Sequence, residues 1–416
     1  MFRHAAALLL LLAVALDVPA ARRRAVGAPG GEAFRVEPLH SVELVADTSD
    51  LASLRSIAGN ASIVALGDAT HGTHEFYTVK LRLVDFLVRQ MGFDVLSLEA
   101  PFPITERLNV YVQTGEGDPR AILAELSGRL HYYFWDVEEL LAAIEWMRAY
   151  NAHRGDAPPI ELAGADIYDE GGGVAGVLAY LQRVDPTAAA YAEIQYSCVL
   201  AGQRTNGCEE AARRVYDALA ARPESGTRDF EDALHYAAVV LQNFDPLMYE
   251  PRDRNMAANL LWIREHRGRA RKVVHWGHQE HAGKTESPYV RGRTMGVLLS
   301  EQLGSGYVAI GTLTGSGTFL QWEVLAEDWV RTVESSFPDP EPGSWEERFR
   351  QRGHAAMLVP LRGLAGEATF RTAPTTPGWT AIAGSLSQKL DAVIYVDRTT
   401  PTKPCATLIP QTTTDL

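Results

Sequence analysis

Residues 62–82 read Ser-Ile-Val-Ala-Leu-Gly-Asp-Ala-Thr-His-Gly-Thr-His-Glu-Phe-Tyr-Thr-Val-Lys-Leu-Arg, and they predict a strand followed by a helix. The β-branched and apolar run ends at Gly67, and a helical pattern begins at about Gly72. Asp68 and His71 lie in the tight turn between them. Ligands of open α/β sheets bind at the carboxyl ends of the strands, and His can change its charge near neutral pH. This turn is therefore predicted to be the centre of an active site.

Six short apolar runs are predicted to be the buried strands of one sheet. Their near-continuous hydrophobicity is typical of parallel strands that are covered on both faces. Helical patterns lie between them, and this alternation predicts an α/β fold with a mostly parallel β-sheet flanked by helices. The predicted strands are 62–67, 94–99, 160–166, 272–276, 306–313 and 391–397.

Two segments depart from this simple alternation. A long, mostly helical pattern covers residues 191–248 and predicts a helical insertion at around 178–265. Residues 316–370 are rich in Trp, Pro and charge, and they are predicted to carry surface loops. The α/β domain as a whole is expected to span residues 35–416.

The start of the sequence predicts export. Two basic residues precede an apolar run that extends from Ala5 to Leu16, and small residues suited to cleavage follow it, so residues 1–21 are interpreted as a signal peptide. The apolar run is too short for a transmembrane helix, so no stable membrane insertion is expected after cleavage. Residues 22–34 are interpreted as a disordered linker. The mature protein is expected in the periplasm or outside the cell.

The net charge and the cysteines limit the possible partners and metal sites of the protein. The formal net charge of −13 argues against nucleic acid or an anionic membrane as a partner. Cys198 and Cys208 flank a short Gly-containing segment, and in an exported protein they form either a disulfide or two free thiols. With Cys405 they make no zinc pattern and no Cys-x-x-Cys motif.

Ionisable residues follow the predicted strands at the points where these end. Because the carboxyl ends of parallel strands meet at one edge of a sheet, residues far apart in sequence are expected to converge there. The residues concerned are Asp68, His71, Glu99, Asp166, Asp169, His275, His278 and His281.

Each of these residues also has a purely structural interpretation. His71 could cap the turn, because Asp-Ala-Thr precedes it. Glu75 either orients His71 or pairs with Arg82, and Lys80 and Arg82 could be solvated or paired on their helix. Glu99 closes an apolar strand and is expected to be buried or partnered, because a bare carboxylate is costly to desolvate.

Three motifs invite more specific interpretations. His275, His278 and His281 could meet one zinc ion, but helical His-Glu-x-x-His geometry is absent, and one of them could instead complete an acid–base site. Residues 171–176 match Gly-x-Gly-x-x-Gly formally, yet a ribose-binding acid is missing at the expected offset. Gly-x-Ser-x-Gly is absent throughout, which argues against a serine nucleophile elbow.

Several separated blocks resemble the erythromycin esterase family, over roughly residues 50–400. Their order and spacing are more specific than any single motif. The blocks are Gly67-Asp-Ala-Thr-His71-Gly-Thr-His-Glu75-Phe with Lys80, Gly92-Phe93 and Glu99, Arg252-Asp253-x-x-Met256-x-x-Asn259, Trp276-Gly-His278-Gln-Glu-His281, Met295-Gly296, and Asp391-Ala-Val-Ile-Tyr-Val-Asp397.

The resemblance implies metal-independent hydrolysis of a cyclic ester, such as a macrolide lactone, by an activated water. The essential His of the family falls on His71, and its partnering acid falls on Asp68. The acid that closes the second strand falls on Glu99. The second site His falls on His278 or His281.

A basic residue on the first helix of the family falls on Lys80, which joins His71, Asp68, Glu99 and His278 as an expected catalytic residue. Contacts with the substrate are expected from Glu75, Arg82, Asp166 and His281. The expected partner is a small-molecule ester or macrolide-like compound, and no cofactor is expected.

Two departures from the family pattern bear on the substrate. Asp68 is one methylene shorter than the usual Glu, and Lys80 offers a point charge where the usual Arg offers a planar fork. The alternatives are a hydrolase or transferase that acts on a glycan or another secondary metabolite, a binding protein that kept the pocket, and a metal-dependent hydrolase.

Overall fold

The structure is a computed structural model that describes residues 34–127, 132–203, 207–223, 226–245, 249–266, 271–324, 330–372 and 380–405. The strands are β1 (Glu37–Pro38), β2 (Ile63–Asp68), β3 (Val95–Pro101), β4 (Glu161–Asp166), β5 (Val273–His278), β6 (Tyr307–Val324), β7 (Val330–Phe337), β8 (Ala356–Pro360), β9 (Ala368–Thr372), β10 (Thr380–Gly384) and β11 (Ala392–Thr399).

The helices are α1 (Leu54–Ala58), α2 (His74–Met91), α3 (Phe102–Thr114), α4 (Pro119–Ser127), α5 (Glu138–His153), α6 (Glu170–Val184), α7 (Pro186–Leu200), α8 (Cys208–Ala220), α9 (Arg228–Gln242), α10 (Glu250–His266), α11 (Gln279–Ala282), α12 (Met295–Leu303), α13 (Trp345–Arg350) and α14 (Leu386–Lys389). No helix in these ranges has both the length and the apolar composition needed to cross a membrane.

One large sheet in the described residues holds nine of the strands, in the order β1-β8-β11-β6-β2-β5-β3-β4 with β7 paired to β6. The six strands from β11 to β4 run parallel, whereas β1, β7 and β8 pair antiparallel with their neighbours. The remaining strands, β9 and β10, form a separate hairpin. Helices flank the sheet, so every residue of β2, β3, β4 and β5 is buried.

The predicted α/β fold with a mostly parallel sheet is confirmed. Each of the six predicted strands corresponds to one of the six parallel strands, because burial on both faces required the apolar runs that marked them. The prediction of surface loops over 316–370 is wrong in part. This segment contains the end of β6, most of β9 and the whole of β7, α13 and β8.

Five helices, α6 to α10, lie between β4 and β5. Within this region Cys198 and Cys208 form a disulfide that joins α7 to the start of α8. The segments predicted to be a signal peptide and a linker, residues 1–21 and 22–34, lie outside the described residues except for Phe34.

Candidate active site

Four neighbouring strands bring the polar residues together at one edge of the sheet. In the order β2-β5-β3-β4 their carboxyl ends are adjacent, and Asp68 on β2 is directly opposite His278 on β5. Glu99 lies at the end of β3 and Asp166 at the end of β4. All four side chains are buried, so this edge concentrates ionisable groups away from water.

His71 contacts the Asp68 carboxylate. The Nδ1 atom of His71 lies 3.0 Å from Oδ1 of Asp68. The other carboxylate oxygen accepts a hydrogen bond from Nζ of Lys80, which also donates to the carbonyl oxygen of Gly277 at 3.1 Å. Burial would raise the pKa of Asp68, but the charge of Lys80 and the contact with His71 hold that pKa below its ordinary value. The shorter Asp68 side chain therefore reaches both partners.

The ring of His71 is held between an aromatic wall and a second imidazole. It stacks on Phe134 with a centroid separation of 3.8 Å and an interplanar angle of 9°, and its centroid lies 5.1 Å from that of His278. Next to Phe134, Trp135 donates from Nε1 to the carbonyl oxygen of Glu99 at 2.8 Å. The wall thus fixes the plane of His71 and is itself tied to β3.

Arg252 from α10 links the ends of β3 and β4. Its Nη2 atom donates to Oε1 of Glu99 at 2.8 Å, and its Nε atom donates to Oδ1 of Asp166 at 2.9 Å. Burial would raise the pKa of Glu99, but the positive charges of His281 and Arg252 hold it well below its ordinary value. Glu99 is therefore ionised, and it shares one guanidinium with Asp166.

His281 completes this charged group. Its Nδ1 atom lies 2.8 Å from Oδ2 of Asp253, and its Nε2 atom lies 3.1 Å from Nη1 of Arg252. Burial would lower the pKa of His281, but the carboxylates of Asp253 and Glu99 raise it to about 8. The other oxygen of Asp253 accepts from the backbone N–H of Met295 at 2.7 Å, which fixes the carboxylate in place.

The raised pKa of His281 predicts a pH-dependent stability. Because the folded state holds this proton up to about pH 8, against 6.5 for an ordinary His, the contribution is complete below pH 6.5 and is lost as pH rises through 8. We expect the free energy of unfolding to fall by about 2 kcal/mol over that interval. Urea unfolding at stepped pH would measure this fall, and the His281→Gln variant should lack it. An equal fall in that variant would assign it to another group.

His278 is a neutral histidine of the site. Burial lowers its pKa to about 4, and the neighbouring His71 acts in the same direction. Its Nδ1 atom accepts from the backbone N–H of Glu280 at 3.3 Å, which places the proton of the neutral ring on Nε2. Its own backbone N–H donates to Oε2 of Glu99 at 2.7 Å. His278 is thus a neutral hydrogen-bond donor beside His71.

A glycine is needed at position 277 for close packing. A Cβ atom there would lie 2.8 Å from Oε2 of Glu99 and 3.0 Å from Nε2 of His275. A larger residue would leave no room for the Glu99 carboxylate. The carbonyl oxygen of Gly277 accepts the hydrogen bond from Lys80.

The three histidines that suggested a metal site face different partners. His275 lies 3.4 Å from the Ser97 hydroxyl, whereas His278 caps α11 and His281 faces Asp253. Within the described ranges, no group of three or more His, Cys, Asp or Glu side chains is arranged to hold a metal ion.

Two residues expected to contact the substrate, Glu75 and Arg82, are bonded to other parts of the chain. Arg82 is buried and donates to both oxygens of Asp50 and to the carbonyl oxygens of Ser41 and Asp47, all in the segment before α1. Glu75 accepts from the backbone N–H and the hydroxyl of Thr400, at 2.7 and 2.8 Å. Each side chain is therefore engaged with another segment of the chain, and its contact with the substrate stays a prediction.

Sequence reasoning assigned no role at the site to four residues that the structure places there. Arg252 and Asp253 lie in the first turn of α10 rather than at a strand end, and only the Arg-Asp motif marked them. Phe134 and Trp135 lie in a short turn before α5, and no local pattern distinguished them from ordinary core aromatics.

The model of the erythromycin esterase family matches residues 88–399, so the chain belongs to that family. The matched range contains Glu99, Asp166, Arg252 and both site histidines of β5 and α11, and it begins after the segment that carries His71.

Known proteins of similar sequence and structure cover most of the chain. An erythromycin esterase type II from Escherichia coli is 23% identical over 360 residues, which is 76% of this chain and 84% of that protein. A crystal structure described as a succinoglycan biosynthesis protein superposes with a TM-score of 0.78 at 24% identity, covering 88% of this chain and 95% of the other. A mutant of the erythromycin esterase EreC in its open conformation gives a TM-score of 0.70 at 16% identity, with coverages of 90% and 100%. These two structures share the fold.

Proposed function

We propose that this member of the family is a carboxylic ester hydrolase in which His71 activates the attacking water and no metal takes part. The observation that carries this proposal is the contact of His71 with the buried Asp68 carboxylate, which Lys80 holds from the other side. Such a pair is the arrangement that general-base catalysis by an imidazole requires.

The geometry supports a separate task for each nitrogen of His71. Because Nδ1 faces Asp68, the carboxylate keeps the proton of the neutral ring on Nδ1. Nε2 is then the atom that takes the proton of the water as its oxygen attacks the ester carbonyl. The imidazolium that forms is stabilised by Asp68, and the same proton can pass to the leaving alkoxide.

His278 fits the role of oxyanion donor. It is neutral, its proton is on Nε2 and its ring centroid lies 5.1 Å from that of His71. A donor of this kind stabilises the transition state by about 3–4 kcal/mol where it has been measured. Arg82 is paired with Asp50 and is therefore not proposed as an oxyanion donor. Lys80 is not proposed either, because it donates to Asp68 and to the carbonyl oxygen of Gly277.

The substrate we propose is an uncharged or cationic small-molecule ester, with a macrolide lactone as the first compound to test. We also propose that the protein is exported. The Cys198–Cys208 disulfide supports export, because disulfides persist in oxidising compartments. Cell fractionation and the intact mass of the mature protein test this proposal. The expected result is the loss of residues 1–21.

The decisive experiment is mass spectrometry of erythromycin and a panel of lactones, linear esters and acetylated sugars after incubation with the purified protein. We expect a lactone to gain one water, or an open-chain ester to split into its acid and alcohol, in a reaction that persists after chelation and is strongly reduced in His71→Ala. Hydrolysis that stops on chelation and returns with added zinc would instead assign a metal-dependent reaction. Turnover of the acetylated sugars alone would assign a glycan esterase, and no turnover would favour a binding protein.

A further inference from the structure

Residues 400–405, which we call the C-terminal strap, cross over the turn that carries His71. The backbone N–H of Thr402 donates to the carbonyl oxygen of Gly72 at 3.0 Å. The backbone N–H of His74 donates to the carbonyl oxygen of Thr400 at 2.9 Å. The strap is thus bonded to the chain on the C-terminal side of His71.

The same strap is bonded to the chain that follows the aromatic wall. The backbone N–H of Cys405 donates to the carbonyl oxygen of Asp136 at 3.0 Å, one residue beyond Trp135. The backbone N–H of Lys403 donates to both carboxylate oxygens of Glu139, at 3.2 and 3.1 Å. The two segments that hold the His71 ring, its own turn and the wall on which it stacks, are therefore joined through residues 400–405.

Glu139 lies where these connections meet. It is buried at the start of α5, and its Oε1 atom lies 2.6 Å from Nδ1 of His74. We propose that Glu139 is a positioning residue for the hydrolytic reaction, since it ties the His71 turn, the strap and the Phe134 wall to one another.

The chemistry of Glu139 suits this task. A carboxylate accepts from Lys403 on both oxygens and from His74 at the same time, whereas an amide offers only one acceptor oxygen. In Glu139→Gln the amide N–H₂ group would face the Lys403 N–H in either orientation of the amide, because that N–H lies near both carboxylate oxygens. The link would then loosen without a change in size. The role in catalysis rests on the proposed hydrolase function, but the effect on the position of His71 does not.

The experiment follows the His71 imidazole directly, in full-length protein labelled at histidine. Its NMR signals are shifted by the Phe134 ring current because the two rings stack at 3.8 Å, and they are assigned by their absence in His71→Asn. Glu139→Gln is expected to move them. It should also lower kcat by about 10- to 100-fold with little change in KM, because small misplacements of a catalytic group are costly.

Glu138→Gln is the matched control. Glu138 is the neighbouring acid of the same helix, but its side chain is exposed and pairs with Arg120 at 2.8 Å. Its signals and kcat should equal those of the wild type. If Glu139→Gln does not fold, His74→Gln is the second variant. It removes the imidazole of the half-buried His74 from Glu139 and should give the same result.

The two proposals fail in different ways. Unchanged His71 signals and kcat in Glu139→Gln, or a fall in Tm alone, would overturn the positioning role. If the wild type hydrolyses no compound of the panel, the proposed function fails, and the NMR signals still decide whether Glu139 positions His71.

Discussion

Replacing His71 by alanine is expected to lower kcat for ester hydrolysis by about 10²–10⁴-fold, the usual contribution of a general base. Asp68 remains buried in this variant but keeps Lys80 as its partner, so the carboxylate stays paired. The protein should therefore fold. Steady-state kinetics on the best ester of the panel, with circular dichroism and Tm on the same samples, measure both expectations.

His235→Ala separates chemistry from packing. His235 is also buried and stacks on an aromatic ring, that of Trp262, with a centroid separation of 3.8 Å and an interplanar angle of 5°. Its removal should cost as much packing as the removal of His71 does and leave kcat unchanged. A folded His71→Ala protein that keeps more than a tenth of the wild-type kcat would exclude His71 as the base.

The parallel part of the fold could be predicted because burial on both faces requires apolar residues, and these are visible in the sequence. β2, β3 and β5 are covered on both faces and therefore read as continuous apolar runs. Two strands outside the parallel set, β7 and β9, lack that signal. The apolar residues of β7 are interrupted by polar ones, as in Thr-Val-Glu-Ser-Ser-Phe, and β9 pairs only with β10. Their pairing is decided by partners distant in sequence.

The site could be predicted where strand ends decided it. Asp68, Glu99, Asp166 and His278 converge because parallel strands end at one edge of the sheet. Arg252 could not be located in this way, because α10 delivers it from outside the sheet.

The partners of the polar residues of α2 could not be predicted, for a geometric reason. Lys80 and Arg82 are two residues apart, and residues at that spacing point to different sides of a helix. Lys80 faces Asp68, so Arg82 faces Asp50 instead. Glu75 in the first turn is likewise turned to Thr400. The partners of Arg82 and Glu75 could have been predicted only if the direction of the Lys80 side chain on the helix had been known.

Replacing Arg252 by methionine is expected to have the largest effect on stability. Methionine keeps most of the volume but leaves the carboxylates of Glu99 and Asp166 buried without the cation they share. Removing one partner of a buried ion pair costs about 3–5 kcal/mol, because the other charge stays desolvated. Urea unfolding at pH 7 would measure this loss.

Two features of this variant separate lost charge from lost packing. In Arg252→Met the pKa of Glu99 is no longer held down by the guanidinium, so acidification should protonate a carboxylate and recover part of the stability. Adding Asp166→Asn to the Arg252→Met variant should recover part of the stability at pH 7, because it removes one of the two carboxylates. Arg254→Met is the control, because Arg254 is exposed on the same helix and pairs with Asp245 at 3.0 Å. Its cost should stay below about 1 kcal/mol. A similarly small cost for Arg252→Met would mean that the burial of Glu99 and Asp166 does not depend on the guanidinium.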